Sequence, residues 1–430
     1  MPPPSVPALS SPDQLLSRLE RLGIRLGLES FRRLCTDLGD PQLRFRSVLV
    51  AGSNGKGSTS SFLAAMARAA GLKTGFYSSP HLESVRERIR IDGRCISEED
   101  FGRDLERVVR TAPQEPTYFE AVTAAAFLAF ASEEVDLAVV EVGMGGRLDA
   151  TNVCEPLLSL VTSVSLEHQE HLGDTLALIA REKAGIFRPG RPALAWVEEP
   201  EAAESLRKVA DEVGAGLRFG QDLATVVEVV PEGWGGQRIR LMTPKGEHDL
   251  RTDLPGAHQV RNLGLAVLAA EELGLAPQSI SQGARTARWP GRLERIELPD
   301  GGRVLLDAAH NDEGAGVLAG FLATLPGKAD LLFGVLADKD VSGMIGRLAP
   351  LVDRIVLTTP PSDRARRPEE VAVLLPGRAV EMEPDLGAAL DRAFVPGGTL
   401  VACGSIFLVG EVRKRLRERF GVPGAATEPL

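Results

Sequence analysis

Residues Arg46 to Thr59 read RSVLVAGSNGKGST. The first six form a short, mostly apolar run of the kind that makes a buried strand. Three glycines then surround a lysine, and from Ser58 a helical pattern runs to Ala70, where Gly71 stops it. A strand, a glycine-rich turn and a helix in that order open a parallel α/β sheet. Gly52, Gly55 and Gly57 remove Cβ atoms where backbone amides must approach phosphate oxygens. The helix start adds a partial positive charge, Lys56 a full one, and Ser58 or Thr59 a hydroxyl for Mg²⁺. The spacing departs from the common phosphate-loop pattern of glycine, four residues, then Gly-Lys-Ser/Thr. Gly52 lies three positions before Gly55, and Gly57 separates Lys56 from Ser58. A tight strand–helix turn with a solvated lysine satisfies the same residues, so the loop alone leaves both readings open.

Outward from this unit, the same rhythm continues. KTGFY, DLAVVEV (from Asp136) and LLSLVTSV (from Leu157) read as strands, the last two apolar enough to be covered on both faces. Ser97-Glu98-Glu99-Asp100 and Thr117-Tyr118-Phe119-Glu120 are capping-box starts, and Ser11-Pro12-Asp13-Gln14 starts the first helix after a proline-rich, disordered beginning. Between Leu217 and Arg251 short alternating segments and turns predict an antiparallel excursion. A helix follows from His258 to Gly274. Pro290-Gly291 in RWPGRLE then breaks the periodicity, and beyond it RVLLD, DLLFGV, RIVLTT and GTLVACG alternate with helices to about Phe420. The fold class is therefore α/β: a doubly wound N-terminal sheet with a small antiparallel excursion over residues 1–289, a hinge at 290–295, and a smaller Rossmann-like α/β domain over 296–430.

At 430 residues the chain is too long for one ordinary core, and 43% hydrophobic with 25% charged residues is usual for a soluble globular protein. A net charge of -10 argues against a nucleic-acid-binding body, which needs a broad cationic surface. Cys35, Cys95, Cys154 and Cys403 show no metal-like pairing and read as reduced thiols. The start, MPPPSVPALSSP, has neither the basic nor the apolar region of a secretion signal, and no run approaches the length of a membrane span. A cytoplasmic location without membrane or nucleic-acid partners is expected.

Other candidates fall at strand ends. Glu141 closes DLAVV and precedes the glycine-rich GMGGRLDATN; in open α/β sheets ligands bind beyond the carboxyl ends of strands, where a carboxylate suits Mg²⁺ on ATP oxygens. A surface acid is the plain alternative. His168, in SLEHQEH, is placed to complete a second metal's coordination or to make an ordinary loop hydrogen bond; His171 reads as exposed. Lys183 lies on a helix, where most lysines are solvated. Asp307 closes RVLLD and is followed by His310 and Asn311, an acid and an imidazole at the carboxyl end of a second α/β sheet and facing an interdomain cleft; an Asn311 or Asp312 helix cap with an incidental histidine is equally compatible. Arg292 is placed either to hold a phosphate bidentately or as a linker arginine.

Taken together, these pieces resemble the folylpolyglutamate synthase/dihydrofolate synthase family of the Mur-ligase superfamily. The resemblance covers roughly Phe45 to Phe420. It rests on SNGKGST, YSSPHL (from Tyr77), RERIRIDG, TYFEAVTAAAFLAF, EVGMGGRLDATN, TSVSLEHQEHLGDT, IAREKAGI, GAHQVRNLGLAV, WPGRLE, LLDAAHN, GVLADKD and GSIFLVGEV, which come in the family's order. That family uses a shortened loop of the form G-T-N-G-K-G-S, so the unusual spacing is itself its mark. The resemblance implies that Gly52, Ser53, Asn54, Gly55, Lys56, Gly57, Ser58 and Thr59 hold the ATP phosphates, with Lys56 on the terminal ones. It implies one Mg²⁺ on Ser58 and Glu141, a second on His168, and Lys183 as the lysine that takes up CO₂ to become a carbamate. Asn262, Arg292, Asp307 and His310 would contact ATP, and Ser79, Pro80 and His81 would shape the folate side. Ser53 and Ser78 stand where threonine is usual and Glu167 where aspartate is; Ala308 and Asp312 replace the more frequent Gly and Pro of D-G-A-H-N-P.

The activity implied is ATP-dependent addition of L-glutamate to folate, to dihydropteroate or to both, through an acyl phosphate. Domain closure about the proline–glycine hinge would exclude water from that intermediate. A muramyl-peptide ligase shares the mechanism, but SPHL and the KGS loop speak against it. A non-catalytic ATP-binding homologue has no need of Glu141, His168, Lys183 and Asp307 together. A monomer is expected.

Overall fold

The computed structural model describes residues 12–23, 25, 27–422 and 430. The Ser11 cap and the disorder expected before it lie outside these residues; Pro12 opens the helix Pro12–Glu20. The chain divides into two compact units. One runs to Pro80, then covers Arg88–Thr225 and Gly264–Gly283; the other holds His81–Glu87, Val226–Leu263 and everything from Ala284.

The first unit is built on an eight-stranded sheet: β1 (Arg46–Ala51), β2 (Thr74–Tyr77), β3 (Ile89–Ile91), β4 (Arg94–Cys95), β5 (Leu137–Glu141), β6 (Pro156–Val161), β7 (Pro192–Ala195) and β8 (Gly216–Phe219). Its order is β4-β3-β2-β5-β1-β6-β7-β8, parallel from β2 to β8, with β3 and β4 as an antiparallel edge. Central β1 is covered on both faces, and Val48 to Ala51 are wholly buried, which is why the run is apolar without alternation. The helix behind it, Lys56–Ala69, begins two residues earlier than the pattern predicts, because Gly55 takes a left-handed φ of 85° as its N-cap and turns the chain at once. The capping box at Thr117 and Glu120 closes reciprocally, while at Ser97 the side chain accepts from the Asp100 amide and donates to the Asp100 carboxylate.

The excursion starts later than expected. Gly216–Phe219 pairs in parallel with β7, so antiparallel structure begins with β9 (Thr225–Pro231) and continues through β10 (Gln237–Thr243) and β11 (Gly246–Thr252). The short run GLRF completes a crossover from β7 through the helix Pro200–Val213 to a parallel neighbour, which sequence alternation does not register. These three strands group with the second unit, where the Arg295 guanidinium donates to the carbonyls of Trp234 and Asp253 and the Arg303 guanidinium lies 5.5 Å from the Trp234 ring centre.

The second unit carries a six-stranded sheet of β12 (Glu294–Glu297), β13 (Arg303–Asp307), β14 (Ala329–Phe333), β15 (Val352–Leu357), β16 (Glu381–Met382) and β17 (Thr399–Cys403). The order is β12-β13-β17-β14-β15-β16, parallel apart from β12. Two apolar layers sandwich it. Leu305, Leu331, Phe333 and Val401 face Leu318, Met344 and Leu348, while Val304, Leu306, Leu332 and Leu400 face Leu390, Leu408 and Val412. Successive residues of β13 thus enter opposite layers, as the pleat requires. Among the described residues no helix is long and apolar enough to cross a membrane, and all four cysteines are free.

Candidate functional site

In the first unit the site grows from the carboxyl ends of β1, β5 and β6. The end of β6 supports the glycine-rich loop: the amide of Ser53 donates to the Ser163 carbonyl (2.9 Å) and the amide of Asn54 to the Ser163 hydroxyl (2.9 Å). Thr162 Oγ1 donates to the Asn54 carbonyl (2.6 Å), and the Ser165 amide to Ser53 Oγ (2.9 Å). Gly52 has no room for a side chain, since a Cβ there would lie 2.0 Å from Thr162 Oγ1 at a φ of +150°. Lys56, the first helical residue, folds its Nζ over the loop onto the carbonyls of Gly52 (2.7 Å) and Ser53 (3.2 Å). The loop therefore presents a helix N-terminus and a lysine at one point, an anion site by construction.

Glu141 closes β5 in register with Val50 of β1, so its carboxylate stands beside the start of the loop. It is buried and accepts from the Ser79 amide (3.1 Å), which brings Ser79 to it. The following segment is glycine-rich because helices press on it: a Cβ on Gly146 would meet the Glu182 carbonyl at 2.7 Å. Asp149 fixes that segment by accepting from the Met144 and Thr151 amides, and Asn152 Nδ2 ties it to the Gly185 carbonyl just beyond the helix Leu176–Ala184.

That helix carries Lys183, whose side chain is only 1% exposed and whose Nζ donates to Glu167 Oε1 at 2.6 Å. Burial draws the Lys183 amine down to about 8; Glu167 opposes the shift and Lys56 adds to it. For Glu167, burial alone would raise the carboxyl, but Lys183 and Lys56 outweigh it and hold it below the usual range. Lys56, Glu167 and Lys183 therefore share one electrostatic neighbourhood. His168 adjoins Glu167, exposed and in a left-handed turn (φ 46°), its carbonyl receiving the amides of His171 and Leu172; His171 is exposed, as read. Glu167 as the partner of Lys183 escaped the sequence reading, because an acid in a loop and a lysine sixteen residues away give no periodic signal.

In the second unit, Asp307 is buried at the end of β13 and accepts from the amides of Leu293 (2.7 Å) and Ala309 (2.9 Å). Burial raises its carboxyl, against the nearby Arg292. His310 is paired through Nδ1 with the Ala308 carbonyl (2.9 Å), and burial, with Arg292 and Lys339, lowers its imidazole. Asn311 caps the helix Asp312–Leu322. Asn262 is buried and donates to Gln259 Oε1 (3.0 Å); its neighbour His258 is drawn down to about 4 by burial, Arg292 and Arg261. Arg292, Asp307 and His310 thus gather at one strand end. Of the segment Ser79-Pro80-His81, the first two residues belong to the first unit and His81 to the second.

Among the described residues no three His, Cys, Asp or Glu side chains gather into a metal cage. A buried carboxylate beside a phosphate-type loop with Ser58 in its first helical turn suits Mg²⁺, which keeps water and substrate phosphates as most of its ligands.

Two family models match: the Mur ligase middle domain over residues 50–270 and the Mur ligase glutamate ligase domain over residues 291–406. Fold and site thus define a Mur-type ligase. The chain is 34% identical over 420 residues to the dihydrofolate synthase/folylpolyglutamate synthase of Bacillus subtilis, covering 92% of this chain and 96% of that one. It is 38% identical over 416 residues to a probable bifunctional folylpolyglutamate synthase/dihydropteroate synthase of Haloferax volcanii, covering 92% of this chain but spanning only 49% of that relative. A solved bifunctional folylpolyglutamate synthase/dihydrofolate synthase with Mn, AMPPNP and L-glutamate bound is 32% identical, with a TM-score of 0.82 over 95% of this chain and 98% of that one. The chain belongs to the folylpolyglutamate synthase/dihydrofolate synthase family.

Proposed function

We propose that this chain joins the amine of L-glutamate to the carboxylate of a pteroate-type acid, dihydropteroate or a reduced folate, with ATP cleaved to ADP and phosphate. The observation that carries this reading is the anion-binding loop at the end of β1 with Glu141 in register beside it. Residues 52–59 hold the ATP phosphates, the amides of Ser53 and Asn54 bracing the loop on Ser163 while the helix start and Lys56, turned from the Gly52 and Ser53 carbonyls, meet the phosphates. Ser58 and Glu141 would hold one Mg²⁺, and His168 with Lys183, the latter as a carbamate, a second; such ions would offset charge on the phosphate oxygens. The substrate carboxylate attacks the γ-phosphorus, ADP leaves, and the glutamate amine attacks the resulting acyl phosphate, releasing phosphate. Arg292, Asp307, His310 and Asn262 attend to the nucleotide, and Ser79, Pro80 and His81 to the acid. The segment 290–295, read from the sequence as a hinge, lies within the second unit, which holds everything from Ala284.

The test is ADP release by the purified chain with ATP, Mg²⁺ and glutamate, given dihydropteroate and tetrahydrofolate separately. Turnover with both makes it bifunctional, and with one assigns it to one half of the family; silence with both, in a sample shown to bind ATP, overturns the reading. Gly52→Ala gives an independent check. Forcing a side chain into a left-handed, Thr162-blocked position costs about 1–3 kcal/mol, and is expected to weaken ATP binding by about tenfold or more in a calorimetric titration.

A further inference from the structure

We infer that Arg413 is a positioning residue for the acid substrate, acting through Glu83 on the segment that follows Ser79 and Pro80. The inference rests on the function proposed above. The chain leaves the first unit after Pro80 and re-enters it at Arg88, and the seven residues between pack with the second unit. Two devices fix them there. Inside the segment, the Glu87 carboxylate accepts from the amides of Leu82 (3.0 Å), Glu83 (2.8 Å) and Ser84 (2.6 Å), folding it on itself. From outside, Glu83 is gripped by Arg413 (2.7 Å) and by Arg417, both on the helix Ile406–Phe420. Leu82 packs into the apolar layer of that helix, and Gly410 lets its backbone come so close that a Cβ would stand 2.1 Å from the Leu82 carbonyl.

Arg413 is shared. Its Nε donates to Glu294 Oε1 (2.8 Å), while Glu294 Oε2 accepts from the amide of Gly291 (2.8 Å), the residue before Arg292. One guanidinium, 1% exposed, therefore joins Glu83, two residues beyond His81, to Glu294, which holds the amide of Gly291 just before Arg292. Stability alone does not explain such a cluster, because apolar residues of similar volume serve a core as well or better than a buried ion pair. What the fork of a buried arginine supplies is fixed geometry between two carboxylates, which a lysine's single point of charge does not reproduce.

The test uses the full chain with Glu83→Gln and Arg413→Lys. ADP release is measured with acid substrate, ATP and glutamate varied in turn, alongside thermal melting. Glu83→Gln keeps the shape and removes the charge; it is expected to raise KM for the acid by about tenfold with kcat within about twofold and KM for ATP unmoved. Arg413→Lys is expected to raise KM for both acid and ATP, because Glu294 and Gly291 are released as well. Lower melting temperatures with every KM unchanged would make the cluster a plain staple and overturn the inference. If Arg413→Lys does not fold, Glu83→Gln decides alone. A wild-type chain that releases no ADP with either acid overturns the proposed function and this inference together, whereas wild-type turnover with unmoved variants overturns this inference only.

Discussion

Lys56→Met is expected to lower kcat by about a thousandfold, with a melting temperature close to that of the wild type. The side chain is half-buried and its hydrogen bonds go to two carbonyls of its own loop, so removing it leaves no core cavity, and Glu167 keeps its bond to Lys183. What it removes, on the proposed function, is the full positive charge that the loop has to offer a bound phosphate. Charge migrates onto the phosphate oxygens as the γ-phosphorus is attacked, so the missing interaction is strongest in the transition state and falls on kcat more than on the KM for ATP. A second consequence follows from the shared neighbourhood. Lys56 helps hold the Lys183 amine down, so Lys56→Met lets that amine climb back toward its ordinary value. Steady-state ADP release by wild type and variant checks the main effect, and a loss smaller than about tenfold would remove Lys56 from phosphate stabilisation.

The sequence carried the parts of this architecture that depend on composition and periodicity. Val48 to Ala51 are buried on both faces because β1 is central, and the uninterrupted apolar run said so. Capping at Ser97 and Thr117 was legible for a local reason: the bonds join residues three apart. What eluded reading was set by tertiary contact. GLRF does not announce whether it pairs with β7 or opens a hairpin, and only the crossover from the preceding helix decides it. The same holds at the site. Lys56, Glu141 and Asp307 stand at strand ends that the pattern locates, while Glu167 beside Lys183, and Thr162 and Ser163 beneath the loop, are brought in across sixteen and more than a hundred residues. The Glu83–Arg413 pair, 330 positions apart, lies beyond any local signal.

Lys183→Arg is expected to lower kcat by about a hundredfold or more, and the wild-type activity to depend on CO₂ in a pH-dependent way that the variant lacks. CO₂ adds only to a neutral amine. With the Lys183 amine drawn down to about 8, about one molecule in ten has it neutral at pH 7, against about one in three thousand for a solvated lysine. The sign follows directly: under limiting CO₂, activity rises as pH climbs through 8, and added bicarbonate restores it below that pH. The same shift appears in stability. The folded amine titrates below the unfolded one, so the cost of burying its charge is full below about pH 8 and is relieved as pH rises from 8 toward 10.5. Carbamylation replaces a cation with an anion beside Glu167, whose carboxylate oxygen lies 2.6 Å from the amine nitrogen, and neighbouring anions repel. The carbamate is therefore expected to accumulate only when Mg²⁺ is present to offset both charges. Carbon-13 bicarbonate gives the readout without turnover: a carbamate carbonyl resonance that strengthens on adding Mg²⁺ and is absent from Lys183→Arg supports the assignment. If the wild type shows no such resonance and full activity in CO₂-free buffer, Lys183 is instead the plain cationic partner of Glu167.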